Sequence, residues 1–321
     1  MEKPKASISL DLDNQWSYMK IHGDVGWDKY PSYFNIFVPH ALSIFDELGL
    51  KITFFIVGKD ADSEENRKYL RMITEHGHEV GNHSFHHESW LQSYTYEEIE
   101  NEIIAAEEAI EKTTGQKPIG FRGPGFSWSK DLLKVLENRG YLYDASTLPT
   151  YLGPLARKYY FMKSDLSKED KKARSELFGK FSEGFRKLKP YFFDLGNGKK
   201  IIEVPVTTMP IFKLPFHLSY LIYLSNISMT LMNIYLNFAI LLCKLTRTPV
   251  SFLLHPLDII GGDQIKELAF FPGMNISSER KVLVFKKVLN KISQHFTLVN
   301  MSNQINYLLS NTNFETVIPK K

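Results

Sequence analysis

Cysteine is all but missing from this chain. Cys243 stands alone among 321 residues, which excludes a disulfide framework and any cysteine-built metal cluster. A dominant charge is missing too: 39 Lys and Arg against 36 Asp and Glu leave +3, too little to argue for a nucleic-acid partner. No internal repeat of about 20–50 residues recurs. The first residues, Met1 to Leu10, hold no apolar stretch of the length a secretion signal needs, which sets the expectation of a cytoplasmic protein. What is present is ordinary for a globular chain, with 43% hydrophobic and 23% charged residues; disorder, collagen and plain coiled coil are thereby excluded. A metal site here has to be built from His, Asp and Glu.

Up to about residue 150 two periodicities alternate. Ala6–Leu12 and Ile52–Val57 read as strands. Between them Tyr33–Leu48 carries Phe34, Phe37, Ala41, Leu42 and Phe45 at helical spacing. Ser63–Gly77 reads as a helix that ends on glycine, His78–Asn82 as a strand, and Tyr96–Thr114 as a helix with acids early and Lys112 late. Ile119–Arg122, Ser129–Arg139 and Tyr141–Ala145 continue as strand, helix and strand. Such alternation predicts an α/β fold with a parallel sheet, whose active site lies at the carboxyl ends of the strands.

After Thr150 the pattern breaks. Ala156–Lys200 holds 13 Lys and Arg against 6 Asp and Glu, threaded with aromatics including Tyr159, Tyr160, Phe161, Phe178, Phe181 and Phe185. Ile201–Thr207 reads as a strand, and Leu214–Cys243 then runs for 30 residues without Asp, Glu, Lys or Arg. At about 1.5 Å per residue that run could cross a bilayer, but Ser219, Asn226, Asn233 and Asn237 oppose a span. One or two helices are expected, packed on the sheet or lying at a membrane surface. The basic aromatic stretch fits an interfacial binder of anionic lipid or a solvated excursion, and both readings stand. The chain is thus expected to be one domain over residues 1–321, with a basic and apolar helical insertion at about 151–247. A peripheral membrane contact through 156–243, at the inner face of the cytoplasmic membrane, goes with it. Alternation resumes with Val250–Leu254, a helix at Ser278–His295 and a strand at Thr297–Met301.

Polar groups gather where strands end. Asp11 and Asp13 close the first strand and share a face; a divalent cation would relieve their repulsion, although a polar loop has the same appearance. His83 and His87, four apart, can meet one metal from a helical turn. With Asp13 they supply a His-His-Asp set that leaves positions open for water and substrate. Arg122, between Gly120 and Gly123, suits a two-pronged grip on a carboxylate. Asp144 and Ser146 end the fifth strand, and His255 ends a buried apolar one.

In this order the motifs Ser-Leu-Asp11-Leu-Asp13, His83-Ser-x-x-His87, Arg122-x-Pro124, Tyr-Asp144-x-Ser146 and Leu-Leu-His255-Pro resemble the polysaccharide deacetylase family. This is carbohydrate esterase family 4, with its NodB-homology domain, and the match is to its intracellular branch. The resemblance covers roughly Ser7–Ser146 and Pro249–Ser302. It implies a distorted (β/α) barrel of about seven strands and a metal-dependent amide hydrolase that removes an N-acyl group from an amino sugar, with a lipid-linked or surface-glycan precursor the expected substrate. It implies that Asp13, His83 and His87 bind the metal, with zinc the first expectation and Co, Ni, Fe or Mn admitted by the same ligands. Asp11 would be the general base, Arg122 its orienting partner, His255 the general acid, and Asp144 the carboxylate that tunes His255. Pro124, Phe126 and Trp16 are the candidate substrate-contacting residues. Two departures stand out. The usual Asp-Asp-Gly is Asp-Leu-Asp-Asn, and Gly125 replaces the aromatic that normally follows the proline. A catalytically silent glycan- or lipid-binding barrel and a hydrolase of a non-sugar amide, such as an N-formyl group, are the alternatives.

Overall fold

A computed structural model describes residues 3–153 and 181–319. Tyr159, Tyr160, Phe161, Phe178 and most of the basic stretch lie outside the described residues. The first half follows the expected alternation: β1 (Lys5–Leu12), α1 (Gln15–His22), α2 (Phe34–Glu47), β2 (Thr53–Ile56), α3 (Gly58–Asp62), α4 (Arg67–Glu75), β3 (Glu79–Asn82), α5 (Tyr96–Thr114), β4 (Gly120–Phe121), α6 (Lys130–Asn138) and β5 (Tyr143–Asp144). The start of α5 is a capping box, Thr95 and Glu98 satisfying each other's backbone N–H, and Gly115 ends the helix at φ 73°.

The second half adds β6 (Tyr191–Gly196), β7 (Lys199–Glu203), β8 (Thr208–Met209), β9 (Leu214–Pro215), α7 (Leu218–Ile227), α8 (Met229–Leu245), β10 (Ser251–Leu254), α9 (Ser278–Ser293), β11 (Thr297–Val299), α10 (Met301–Asn311) and β12 (Thr316–Val317). Seven strands run parallel in the order β10, β1, β2, β3, β4, β5, β7. This sheet curls. Arg122, just past β4, lies three strands from β1, about 14 Å away in a flat sheet, yet its Nη1 is 2.7 Å from Asp11 on β1. The two ends of the run also meet: Thr207, just past β7, donates its N–H to Ser251 O on β10 (3.0 Å) and accepts from the Ser251 N–H through Oγ1 (2.7 Å). The arrangement is a distorted (β/α) barrel.

Three expectations need correction. The helix read over Ser63–Gly77 is α4, which starts only at Arg67; a separate short helix, α3, precedes it and ends where Ser63 turns extended. The insertion is not a single helical excursion over 151–247. Its middle is the β6–β7 hairpin, turned by Asn197 and Gly198 at φ 53° and 78°, and β7 joins the sheet beside β5. Finally, the last strand stops at Val299 and α10 follows it. The uncharged run forms two helices, and no helix among the described residues is long and apolar enough to cross a membrane.

Candidate metal centre and active site

The site is assembled where β1, β3, β4 and β10 end. Ser9 and Asp11 share one face of β1 and both meet the Arg122 guanidinium, whose Nη1 is 2.9 Å from Ser9 Oγ and 2.7 Å from Asp11 Oδ1. Arg122 is fully buried, donates through Nε to Ala145 O and lies 4.3 Å from the centre of the Phe55 ring. Asp11 is therefore held from one side, and its other oxygen lies 3.9 Å from His255 Nε2. The turn after Arg122 depends on Gly123, where a Cβ would stand 1.9 Å from Ser127 O. Pro124 is buried in that turn, and Phe126 is half-buried at φ 60°.

The two histidines converge, but not from a helical turn. Residues 83–88 are irregular, with Ser84 and His87 at φ 60° and 53°. Local hydrogen bonds fix this shape instead. The Asn82 side chain accepts from Ser84 N, and Glu102 Oε2 accepts from the N–H groups of Phe85 and His86. His83 Nδ1 lies 2.6 Å from Arg122 O, a bond that directs Nε2 into the site. The imidazole centres are 5.0 Å apart, and Asp13 Oδ1 stands 2.9 Å from His87 Nε2 and 3.6 Å from His83 Nε2. All three ligand atoms lie within 4.8 Å of one another.

The chemistry of this donor set fits a divalent cation. Asp13 Oδ1 is buried and makes no hydrogen bond of good geometry, so two imidazole nitrogens and one carboxylate oxygen aim at a common point. Burial pushes the Asp13 carboxyl up, but the charges of His87, His83 and His255 and the His87 contact outweigh it and hold the group down to about 2. Burial likewise lowers His83, keeping the neutral imidazole that ligation requires.

Other expected residues fall elsewhere. Asp144, assigned to His255, has Ser146 Oγ at 2.5 Å and its register partner Glu203 as its partners. The carboxylates His255 faces are Asp11 and Asp258; Asp258 Oδ2 accepts from the His255 N–H at 2.9 Å and lies 4.0 Å from Nδ1. The His-Pro-Leu-Asp spacing, a side-chain acceptor three residues on, was the available signal for Asp258. Trp16 is buried, its indole N–H spent on Asp60 Oδ1 (2.9 Å) and its ring edge-on to His87. It packs against the candidate ligand His87 and is buried rather than facing open space. Sequence reasoning also missed His217, just before α7, whose imidazole lies close enough to His255 to feel its charge; burial first, then that charge, lowers it to about 3.

The polysaccharide deacetylase family model matches residues 22–143, a span that contains His83, His87 and Arg122. Among characterised relatives, a peptidoglycan deacetylase of Helicobacter pylori is 29% identical over 111 residues, 35% of this chain and 37% of that protein. A peptidoglycan-N-acetylglucosamine deacetylase of Bacillus cereus is 26% identical over 139 residues, 43% of this chain and 61% of that one. A chitooligosaccharide deacetylase of Azorhizobium caulinodans is 33% identical over 103 residues, 32% of this chain and 48% of that one. The matches thus span between about a third and three fifths of these relatives' lengths. A crystal structure described as a candidate polysaccharide deacetylase from Mycobacterium smegmatis superposes with a TM-score of 0.56 at 17% identity, covering 100% of both chains, and shows the same fold. Over residues 22–143, then, the chain resembles the polysaccharide deacetylase family, and its fold is that of the Mycobacterium smegmatis structure.

Proposed function

We propose that this protein is a hydrolase of a carbon–nitrogen bond, removing an N-acyl group from an amino sugar. One observation carries the reading: a buried carboxylate locked by Arg122, a second carboxylate beside two imidazoles, and His255 all open on the same rim. Asp13, His83 and His87 would hold a divalent cation, which when bound would supply Lewis acidity toward an amide carbonyl and toward water. Asp11 accepts the proton of the attacking water; its fixed bond to Arg122 leaves the oxygen nearer His255 for that task. His255 donates a proton to the departing amine, which leaves poorly without one. Asp258 holds the backbone of His255 and faces the ring nitrogen away from Asp11, so it is the orienting carboxylate. The relatives' names, peptidoglycan and chitooligosaccharide deacetylases, support an N-acetylated sugar as substrate. We place the substrate among lipid-linked or surface-glycan precursors.

The test is release of acetate from N-acetylated oligosaccharides by protein supplied with zinc, followed by mass spectrometry. Asp11→Asn should keep the cation and lose activity by about 10²-fold or more. No acyl release from any such sugar, or an Asp11→Asn variant with undiminished turnover, contradicts the reading.

A further inference from the structure

Helix α8 carries apolar side chains on two faces, and each such face is stable only when covered. Its inner face is covered: Met232, Leu236, Ala239, Ile240 and Cys243 are buried. Its outer face is not. Leu231, Ile234, Phe238, Leu241 and Leu245 recur at spacings of three and four, with Ile234 61% and Leu245 70% exposed. Beside Phe238 stands the tip of the β8–β9 hairpin, where Phe212 lies 6.0 Å ring to ring and Ile211 is 68% exposed. Ile211 sits at φ 72°, a conformation that costs a β-branched residue energy, and the hairpin nevertheless holds this apolar tip outward.

Charge identifies the occupant. From Val204 to Leu257 the sequence has no Asp or Glu, while it carries Lys213, Lys244 and Arg247. On the flank between the covered and uncovered faces of α8, Asn233 and Asn237 line an open groove with Lys287, Asn290, Lys291 and Gln294 of α9 and its end; among the described residues no carboxylate lines it. Lys244 stands in the last turn of α8, and Lys291 in the last turn of α9, where Lys3 Nζ also lies 3.0 Å from Ser293 O, so both helices end among cations. A second copy docked on the stripe would bring these cations against their own images. An anionic bilayer surface matches both features, with acyl chains for the stripe and phosphates for the lysines.

We propose that α8 and the β8–β9 tip form a seat for an anionic membrane surface. The seat connects to the active site through α7, which packs both on α8 and on the Pro256–Asp258 turn that follows His255. Resting on the hydrolase reading, this makes an amino sugar carried on a lipid anchor the substrate class.

Sedimentation with vesicles tests the seat without reference to catalysis. At low salt the protein should pellet with vesicles containing about 30 mol% phosphatidylglycerol, and far less with pure phosphatidylcholine. Ile234→Ser with Phe238→Ser should weaken binding about tenfold or more, while circular dichroism and activity on a soluble N-acetylated oligosaccharide stay unchanged. Lys287→Gln with Lys291→Gln should remove most of the preference for anionic vesicles. Absence of binding to either vesicle overturns the proposal, as does a dimer in ultracentrifugation that Ile234→Ser with Phe238→Ser splits while vesicle binding is unaffected. Loss of sugar deacetylation with vesicle binding intact would instead count against the hydrolase reading alone.

Discussion

Single residues here carry more than their surroundings suggest. Asp144 and Glu203 are buried side by side at the ends of neighbouring parallel strands, and two carboxylates so placed cannot both ionise cheaply. Burial raises Asp144 to about 6 and pushes Glu203 well above the ordinary range, where the Asp144 charge adds to the effect. The native state then keeps protons that the unfolded chain has lost, so stability is fullest below the unfolded carboxyl values and falls as pH rises through the folded ones. Glu203→Gln mimics the protonated acid. Its melting temperature should therefore fall less between pH 5 and pH 8 than the wild type's in differential scanning fluorimetry. Equal falls in the two proteins would show that Glu203 is already ionised without cost. Position alone singled out Asp11, Asp13, Arg122 and His255, since each polar side chain interrupts apolar sequence where a strand ends. Glu203 could not be found that way, because its partner in register, Asp144, is almost sixty residues distant in sequence.

At the scale of elements, strands and long helices were legible because their apolar periods are strong; Tyr96–Thr114 is found with its expected bounds. Segments governed by local hydrogen bonds were not. The His83–His87 loop brings its imidazoles together through left-handed residues and the Glu102 cradle, neither of which has a period to read. The strand expected at Ile201–Thr207 overlaps β7, but its partner β6 and the Asn197-Gly198 turn that joins them were hidden by the basic composition around them. A buried lysine shows how such segments are held. Lys281 on α9 donates to Leu257 O and Ile260 O at 2.7 and 2.8 Å, fixing the turn that bears Asp258 behind His255. Lys281→Ala strands two buried carbonyls and should cost about 2–3 kcal/mol in urea unfolding. A change under about 0.5 kcal/mol, within the range of ordinary surface substitutions, would show that the clamp is dispensable.

For the whole molecule, the curled sheet brings distant strands to one rim, and α8 leaves an apolar face uncovered. The barrel, the family and the strand-end placement of the site could be read in advance; the course of the insertion could not, because its helices are apolar on both faces and their period does not say which side meets the core. What makes the rim a site is the joint aim of Asp13, His83 and His87. The most direct test is metal analysis of the purified protein after dialysis against zinc. One equivalent per chain is predicted, lost when His83 and His87 are both changed to Ala and kept in Asp11→Asn; a chain that binds no zinc, or binds it equally well without the two histidines, would contradict the account.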